Sequence, residues 1–394
     1  MLTRALAWAS LVFNPITSPD TAPIQPQERL LPGDQQRPWQ DILTGIRDQT
    51  SLTIHDRDGV RKWSLDRDNI TQILPDDVHD CINAGPEVAE VKYMNHGKSI
   101  AATFSDSVIV VNHTPDNPAT DKQITFALCR GRNGFGDTHT VEPLPGNLLA
   151  VATTGQRSWD GIVIFDASPS LPLTGSPPVL QNITGFPTVH SMIWDEQAQM
   201  LWAAGTDAAA DGSDPVPAYG TLMSYPWDAK EKRLRDEDRK IYKLDQAYDL
   251  EAEWGRGYPW WAGMHDLIPI PGQRKFLLTE DRGLHAFDIE TGRFTEHYQD
   301  VADKYLGGFQ FDPFHTRHGN NSHGQWEDLP QSDLKSLSIA PDGSFVYVQA
   351  MWTQYRDNTT NLVVNGHLHE LDLGGGHEMY RSRWFGDLPG WPKP

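Results

Sequence analysis

Apolar and polar residues alternate along most of this chain in short bursts, with the period of strands rather than helices. In THTVEPLPGNLLAVATT (138–154) an alternating segment reaches a Pro145-Gly146 turn, and a second apolar run follows. Period-two alternation on either side of a turn signal reads as a β-hairpin. The same design recurs in HSMIWDEQAQMLWAAG from His190, HDLIPIPGQRKFLLTE from His265 and KSLSIAPDGSFVYVQA from Lys335, with a weaker copy, AEVKYMNHGKSIAATF, from Ala89. The later turns fall at matching offsets: Glu196-Gln197, Pro271-Gly272, Pro341-Asp342 and Asn95-His96. A third strand is expected after each hairpin, in SVIVVNH, GIVIFDA, GTLMSYPWD, GLHAFDIETG and GHLHELDLGG.

The residues that lead these units are 50, 51, 75 and 70 positions apart. A unit of about 40 to 50 residues made of four short strands is a propeller blade, and the longer spacings hold insertions. DILTGIRDQTSLTIHDRDGVRKWSL supplies strands without a lead residue. The C-terminal EMYRSRWFG is expected to pair with them and close the ring, which leaves no open sheet edge. The chain is therefore read as all-β, a β-propeller of six four-stranded antiparallel blades. Seven blades, or a two-sheet sandwich, are the alternatives.

The segments DTHTVEPLPGNLLAVA, VHSMIWDEQAQMLWAAG, MHDLIPIPGQRKFLLTE and YRSRWF resemble a family of secreted propeller proteins of unassigned function found in bacteria and fungi. The similarity runs from about residue 40 through most of the chain. It implies the fold and carries over no catalytic residue.

The N-terminus changes the picture of where the protein acts. Arg4, the apolar ALAWASLVF and the small and polar residues after it are expected to form a signal peptide over 1–22. An extension over 23–37 and a single propeller domain over 38–390 would follow. Sequons at Asn69, Asn112, Asn182, Asn320 and Asn358 fit a secreted, extracellular glycoprotein. In an exported protein the two cysteines, Cys81 and Cys129, are expected to form one disulfide. The net charge of -20 argues against nucleic acid or an anionic membrane as partner. No apolar run reaches the length of a membrane span, and a monomer is expected.

Candidate chemistry gathers at the lead residues. Blades are related by rotation about a central channel, so His139, His190, His265 and Lys335 should meet at one mouth. Three imidazoles there could hold a divalent metal such as Mn, Zn, Ni, Fe or Ca, with an open position for catalysis. Each His could instead tie its strand to a neighbouring blade, and Lys335 could pair with Glu142 or Asp266. A second cluster, His315, His318 and His323, lies in a Gly/Asn-rich insertion that suits a metal poorly. His367 and His369 alternate and so share one strand face. Insertions bring Arg132, Phe135 and Asp137 beside His139, Arg256, Trp254, Tyr258, Trp260 and Trp261 ahead of His265, and Trp326 and Glu327 toward Lys335. Aromatic faces stack on sugar rings and Arg pairs with carboxylates. These features point to a carbohydrate-active enzyme, concretely a lyase acting on a uronate-containing glycan, with His139, His190, His265 and Lys335 as catalytic candidates. A glycoside hydrolase, which needs two carboxylates at the mouth, and a non-enzymatic glycan- or protein-binding propeller are the rivals.

Overall fold

The computed structural model describes residues 41–85, 87–129, 138–154, 161–209, 218–248, 263–280, 283–295, 298–309, 317–320, 326–329, 332, 334–350 and 357–392. All the elements lie in the unit Trp39–Pro394. They form six antiparallel blades, as the hairpin repeats require. Blade 2 is β4 (Val91–Met94), β5 (Ser99–Phe104), β6 (Ser107–Asn112) and β7 (Ile124–Cys129). Blade 3 is β8 (Thr138–Leu144), β9 (Leu148–Thr153), β10 (Gly161–Asp166) and β11 (Val179–Ile183). Blade 4 is β12 (Thr188–Asp195), β13 (Met200–Thr206), β14 (Ala218–Asp228) and β16 (Lys240–Tyr248), with the short β15 (Arg233–Leu234) on the end of β14. Blade 5 is β17 (Asp266–Pro269), β18 (Lys275–Thr279), β19 (Leu284–Asp288) and β20 (Arg293–Thr295). Blade 6 is β23 (Leu334–Ile339), β24 (Phe345–Gln349), β25 (Thr360–Val364) and β26 (His367–Leu371). A hairpin of β21 (Arg317–Asn320) and β22 (Trp326–Leu329) stands between blades 5 and 6 in the chain.

Blade 1 closes the ring. Its innermost strand is the C-terminal β27 (Met379–Trp384), paired with β1 (Asp41–Ile46), followed by β2 (Ser51–Asp56) and β3 (Arg61–Asp66). One sheet is thus made from both ends of the domain. One expectation needs correction: GHLHELDLGG does not supply the third strand of its blade but the fourth, β26. The third is β25, reached only after the segment between β24 and β25, and His367 and His369 are exposed on the outer strand.

Because side chains alternate across a strand, each blade presents two apolar faces, one to each neighbour. Six clusters result, one per interface. Leu43, Ile54 and Trp63 of blade 1 pack on Ile100, Ala102 and Ile109 of blade 2. Ala101, Val108 and Val110, from the opposite face of blade 2, pack on Val141, Val151 and Val163 of blade 3. The series continues with Trp194 between blades 3 and 4, Trp202 between 4 and 5, Leu277 and Tyr347 between 5 and 6, and Ile42, Val346 and Trp384 between 6 and 1. The core is a ring of slabs around a central channel.

Cys81, in α1 (Asp76–Ile82), is bonded to Cys129 at the end of β7, the outer strand of blade 2, across 48 positions. Of the sequons, Asn182 and Asn358 are exposed and Asn112 is partly buried. The Asn69 side chain is engaged in a capping box, its Nδ2 donating to Asp66 and to the Ser64 carbonyl, so a glycan there would disturb that turn. The side chain of Asn320 lies outside the described residues.

Candidate functional site

A β-bulge places each lead residue. In β8 the ladder pairs Thr138 with Thr153 and then Thr140 with Ala152, leaving His139 as the extra residue. In β12 the pairs Val189–Gly205 and Ser191–Ala204 leave out His190. In β23 the pairs Leu334–Gln349 and Ser336–Val348 leave out Lys335. His265 stands just before β17, its N–H donating to the Thr279 carbonyl at 2.7 Å. A bulge re-aims a side chain that regular pleating would send into the interface between blades. The lead residues instead face one another at the end of the channel.

They form a continuous arc. The His139 and His190 rings lie edge-to-face with centroids 4.7 Å apart, and His190 and His265 repeat this at 5.1 Å. His265 Nε2 is 3.1 Å from Lys335 Nζ. At the other end His139 Nε2 is 3.1 Å from the Tyr380 hydroxyl on β27. Tyr380 belongs to blade 1 and His139 to blade 3, so this contact reaches past blade 2. His190, His265 and Lys335 are buried, and His139 retains some exposure. Burial first, then the Arg381 charge, lowers His139 to about 3. Burial, the neighbouring imidazoles, Arg381 and Lys335 hold His190 well below the usual range. Both rings are neutral near pH 7.

The layer beneath is ionic. Arg383, on β27 of blade 1, donates to Glu90 Oε1 of blade 2 at 2.9 Å and to Asp266 Oδ1 of blade 5 at 2.9 Å. Blades 2 and 5 are diametrically opposed in a ring of six, so this guanidinium lies on the channel axis. Lys92 is within 3.3 Å of Glu142 and donates to the Met192 carbonyl at 2.9 Å. Glu142 also accepts from the Trp194 N–H at 2.9 Å. Arg381 lies 3.4 Å from Asp266 and donates to the carbonyls of His190, His265 and Lys335. Burial alone would raise the Glu90 and Asp266 carboxyls. Arg383 chiefly outweighs it, with Arg381 and Lys92, so Glu90 is lowered and Asp266 falls to about 2. Burying these ions is offset by mutual attraction and hydrogen bonding. The channel is thereby filled beneath the imidazole arc, of which His139 retains partial exposure.

Three lead histidines and Lys335 are thus brought together. Of the carboxylates expected near Lys335, Glu142 lies 3.3 Å from Lys92, and Asp266 pairs with Arg383 and Arg381. The donor set suits a metal poorly. Among the described residues no three His, Cys, Asp or Glu side chains are grouped as a metal site, and the Lys335 ammonium lies beside His265 Nε2, where a second cation would be repelled. Arg132, Phe135, Asp137, Trp254, Arg256, Tyr258, Trp260, Trp261, His315 and His323 lie outside the described residues, as do the side chains of His318, Trp326 and Glu327.

Sequence reasoning missed Tyr380, Arg381, Arg383, Glu90 and Lys92. A signal for them exists. Each lies in or next to an innermost strand, as in AEVKY and YRSRW, where burial of a polar side chain demands partners.

No protein-family model matches the chain, and no curated protein matches it. Solved propeller structures resemble it distantly. A chain of a nidogen–laminin complex is 8% identical, with 87% of this chain and 97% of that one covered, at a TM-score of 0.48. The propeller domain of Cps50 (Swd1) from Myceliophteria thermophila is 10% identical over 90% and 89%, at 0.40. A putative 6-phosphogluconolactonase from Bacteroides uniformis is 13% identical over 66% and 67%, at 0.37. None of them carries an argument about chemistry.

Proposed function

We propose that the protein is a secreted carbohydrate-active lyase that cleaves a uronate-containing glycan at the imidazole-lined mouth. The observation that carries the reading is the arc of His139, His190 and His265, the first two neutral, held between the Tyr380 hydroxyl and Lys335 Nζ. β-Elimination needs a base for the C5 proton, a proton for the leaving oxygen, and positive potential for the carboxylate that acidifies C5. His139, the least buried member of the arc, is suited to the base role by its place: the ring is neutral and its Nε2 lies 3.1 Å from the Tyr380 hydroxyl, so base and proton donor stand side by side. It takes the C5 proton, the C5–H electrons form the C4–C5 double bond, and the C4–O bond breaks. Tyr380, hydrogen-bonded to His139 Nε2, supplies the proton to the departing oxygen. Lys335 and Arg381 favour the anionic substrate through their field. No step is routed through a metal.

The test is incubation with polygalacturonate, alginate and glucuronan while following the ultraviolet absorbance of the unsaturated product, with and without a chelator. Absorbance growth that is lost in His139→Asn and Tyr380→Phe supports the proposal. New reducing ends without absorbance would assign a hydrolase, and binding without turnover would assign a recognition module. Loss of activity on chelation, with metal in tag-free protein, would restore a metal-dependent reading.

A further inference from the structure

The bulges that aim the lead residues into the mouth also create a difficulty. The extra residue of a bulge is left out of the ladder, and a buried carbonyl without a donor is costly. His190 and Lys335 are such residues, and His265 sits just outside the first pair of its ladder. Their carbonyls come from three consecutive blades, and all three accept from one fully buried guanidinium, that of Arg381. Its other contacts are Asp266 at 3.4 Å and the Tyr380 ring, whose centroid is 4.9 Å away.

We infer that Arg381 is the positioning residue of the mouth: it supplies the donors missing at His190, His265 and Lys335 and so fixes the direction of their side chains. A guanidinium suits this arrangement better than an ammonium, because its donors are spread over two terminal nitrogens in a fixed plane, Nη1 serving Lys335 and Nη2 serving His190 and His265, whereas a lysine carries its three on a single nitrogen. A lysine would keep the charge and lose the geometry. Arg381 lies on β27, the strand that closes the ring, beside Tyr380. Ring closure and assembly of the mouth are therefore a single event: until β27 docks, blades 4, 5 and 6 have no common donor. Arg383, two residues on, belongs to the ionic layer below and touches none of the three carbonyls. The inference does not depend on lyase activity.

The experiment is imidazole NMR of histidine-labelled protein, comparing Arg381→Lys with Arg383→Lys, an equally charged control on the same strand with a slightly more exposed side chain. In Arg381→Lys the His190 and His265 ring signals should shift and broaden, while Arg383→Lys leaves them in place even though it lowers the melting temperature. Unchanged ring signals in folded Arg381→Lys, or equal shifts in both variants, would overturn the inference. Arginine side-chain NMR of the wild type provides a reading that needs no variant. Separate, exchange-protected Nη signals for Arg381 are expected. A freely rotating guanidinium that exchanges like a solvated one would refute the assignment even if Arg381→Lys does not fold.

Discussion

Acidification from pH 7 to pH 5 should destabilise this protein through the same imidazoles that line its mouth. His139 is lowered to about 3 and His190 lies well below its ordinary 6.5. Both stay neutral in the folded protein at pH 5, whereas in the unfolded chain they take up protons. The unfolded state then binds more protons, so stability falls as pH falls. For one histidine with an unfolded value near 6.5, protonation favours the unfolded chain by about 2 kcal/mol at pH 5. Each ring contributes at most that, His139 less because it still touches solvent, giving up to about 3 to 4 kcal/mol together. With a guanidinium m-value of about 5 kcal/mol/M, the unfolding midpoint drops by up to roughly 0.7 M. Asp266 adds nothing in this window. Its lowered carboxyl stabilises above its unfolded value of 3.8, and that contribution is lost only as pH falls from there through about 2. The assay is guanidinium unfolding at pH 7 and pH 5, on the wild type and on His139→Gln/His190→Gln. Subtracting the variant removes every other titrating group. A wild type that loses no more midpoint than the double variant would show that the rings are not held neutral.

Three further outcomes follow from other parts of the molecule. Arg383→Met removes the principal counter-charge of the buried Glu90 and Asp266 carboxylates, leaving Lys92 and Arg381 as their remaining cations, and thermal or denaturant unfolding should register a loss of about 3 kcal/mol. Cys81→Ser opens the link to Cys129 and should cost about 4 kcal/mol on the chain-entropy model, and non-reducing peptide mapping of the wild type should recover the bridged pair. Gly205 pairs with Val189 beside the His190 bulge, and a Cβ there would sit 1.8 Å from the Thr188 carbonyl oxygen. Gly205→Ala should therefore unfold the protein or displace His190, visible as a shifted imidazole signal, and an unperturbed signal at full stability would contradict the close approach.

The propeller was legible in the sequence because its blades repeat one instruction. An alternating strand, a turn at fixed offset and a second apolar strand recur from Ala89, His139, His190, His265 and Lys335, and stacking is the only way such units bury both faces. The convergence of the lead residues was legible for the same reason, since rotation carries equivalent positions to one place. The bulges were not. A bulge is a mismatch between two strands, and nothing in THTVEP alone states that His139 will be skipped by its partner. The third strand of blade 6 was misplaced because the segment after β24 separates it from its hairpin, so GHLHEL stood where the pattern expected it.

The ionic layer was hidden for a different reason. Glu90, Lys92, Glu142, Asp266, Arg381 and Arg383 each read singly as an interruption of an apolar strand, and only the ring shows that they compensate one another. Their sequence separation is what makes them informative. Arg383 joins Glu90 across 293 positions and Asp266 across 117. No local folding unit can satisfy these groups, so every partly closed ring carries unpaired charge or leaves the channel open to water. Only the closed ring brings their opposite charges together, and β27 brings in the two arginines that face Glu90 and Asp266. The strand that completes the fold thus carries the groups that make its closure unique and that hold the mouth above it in shape.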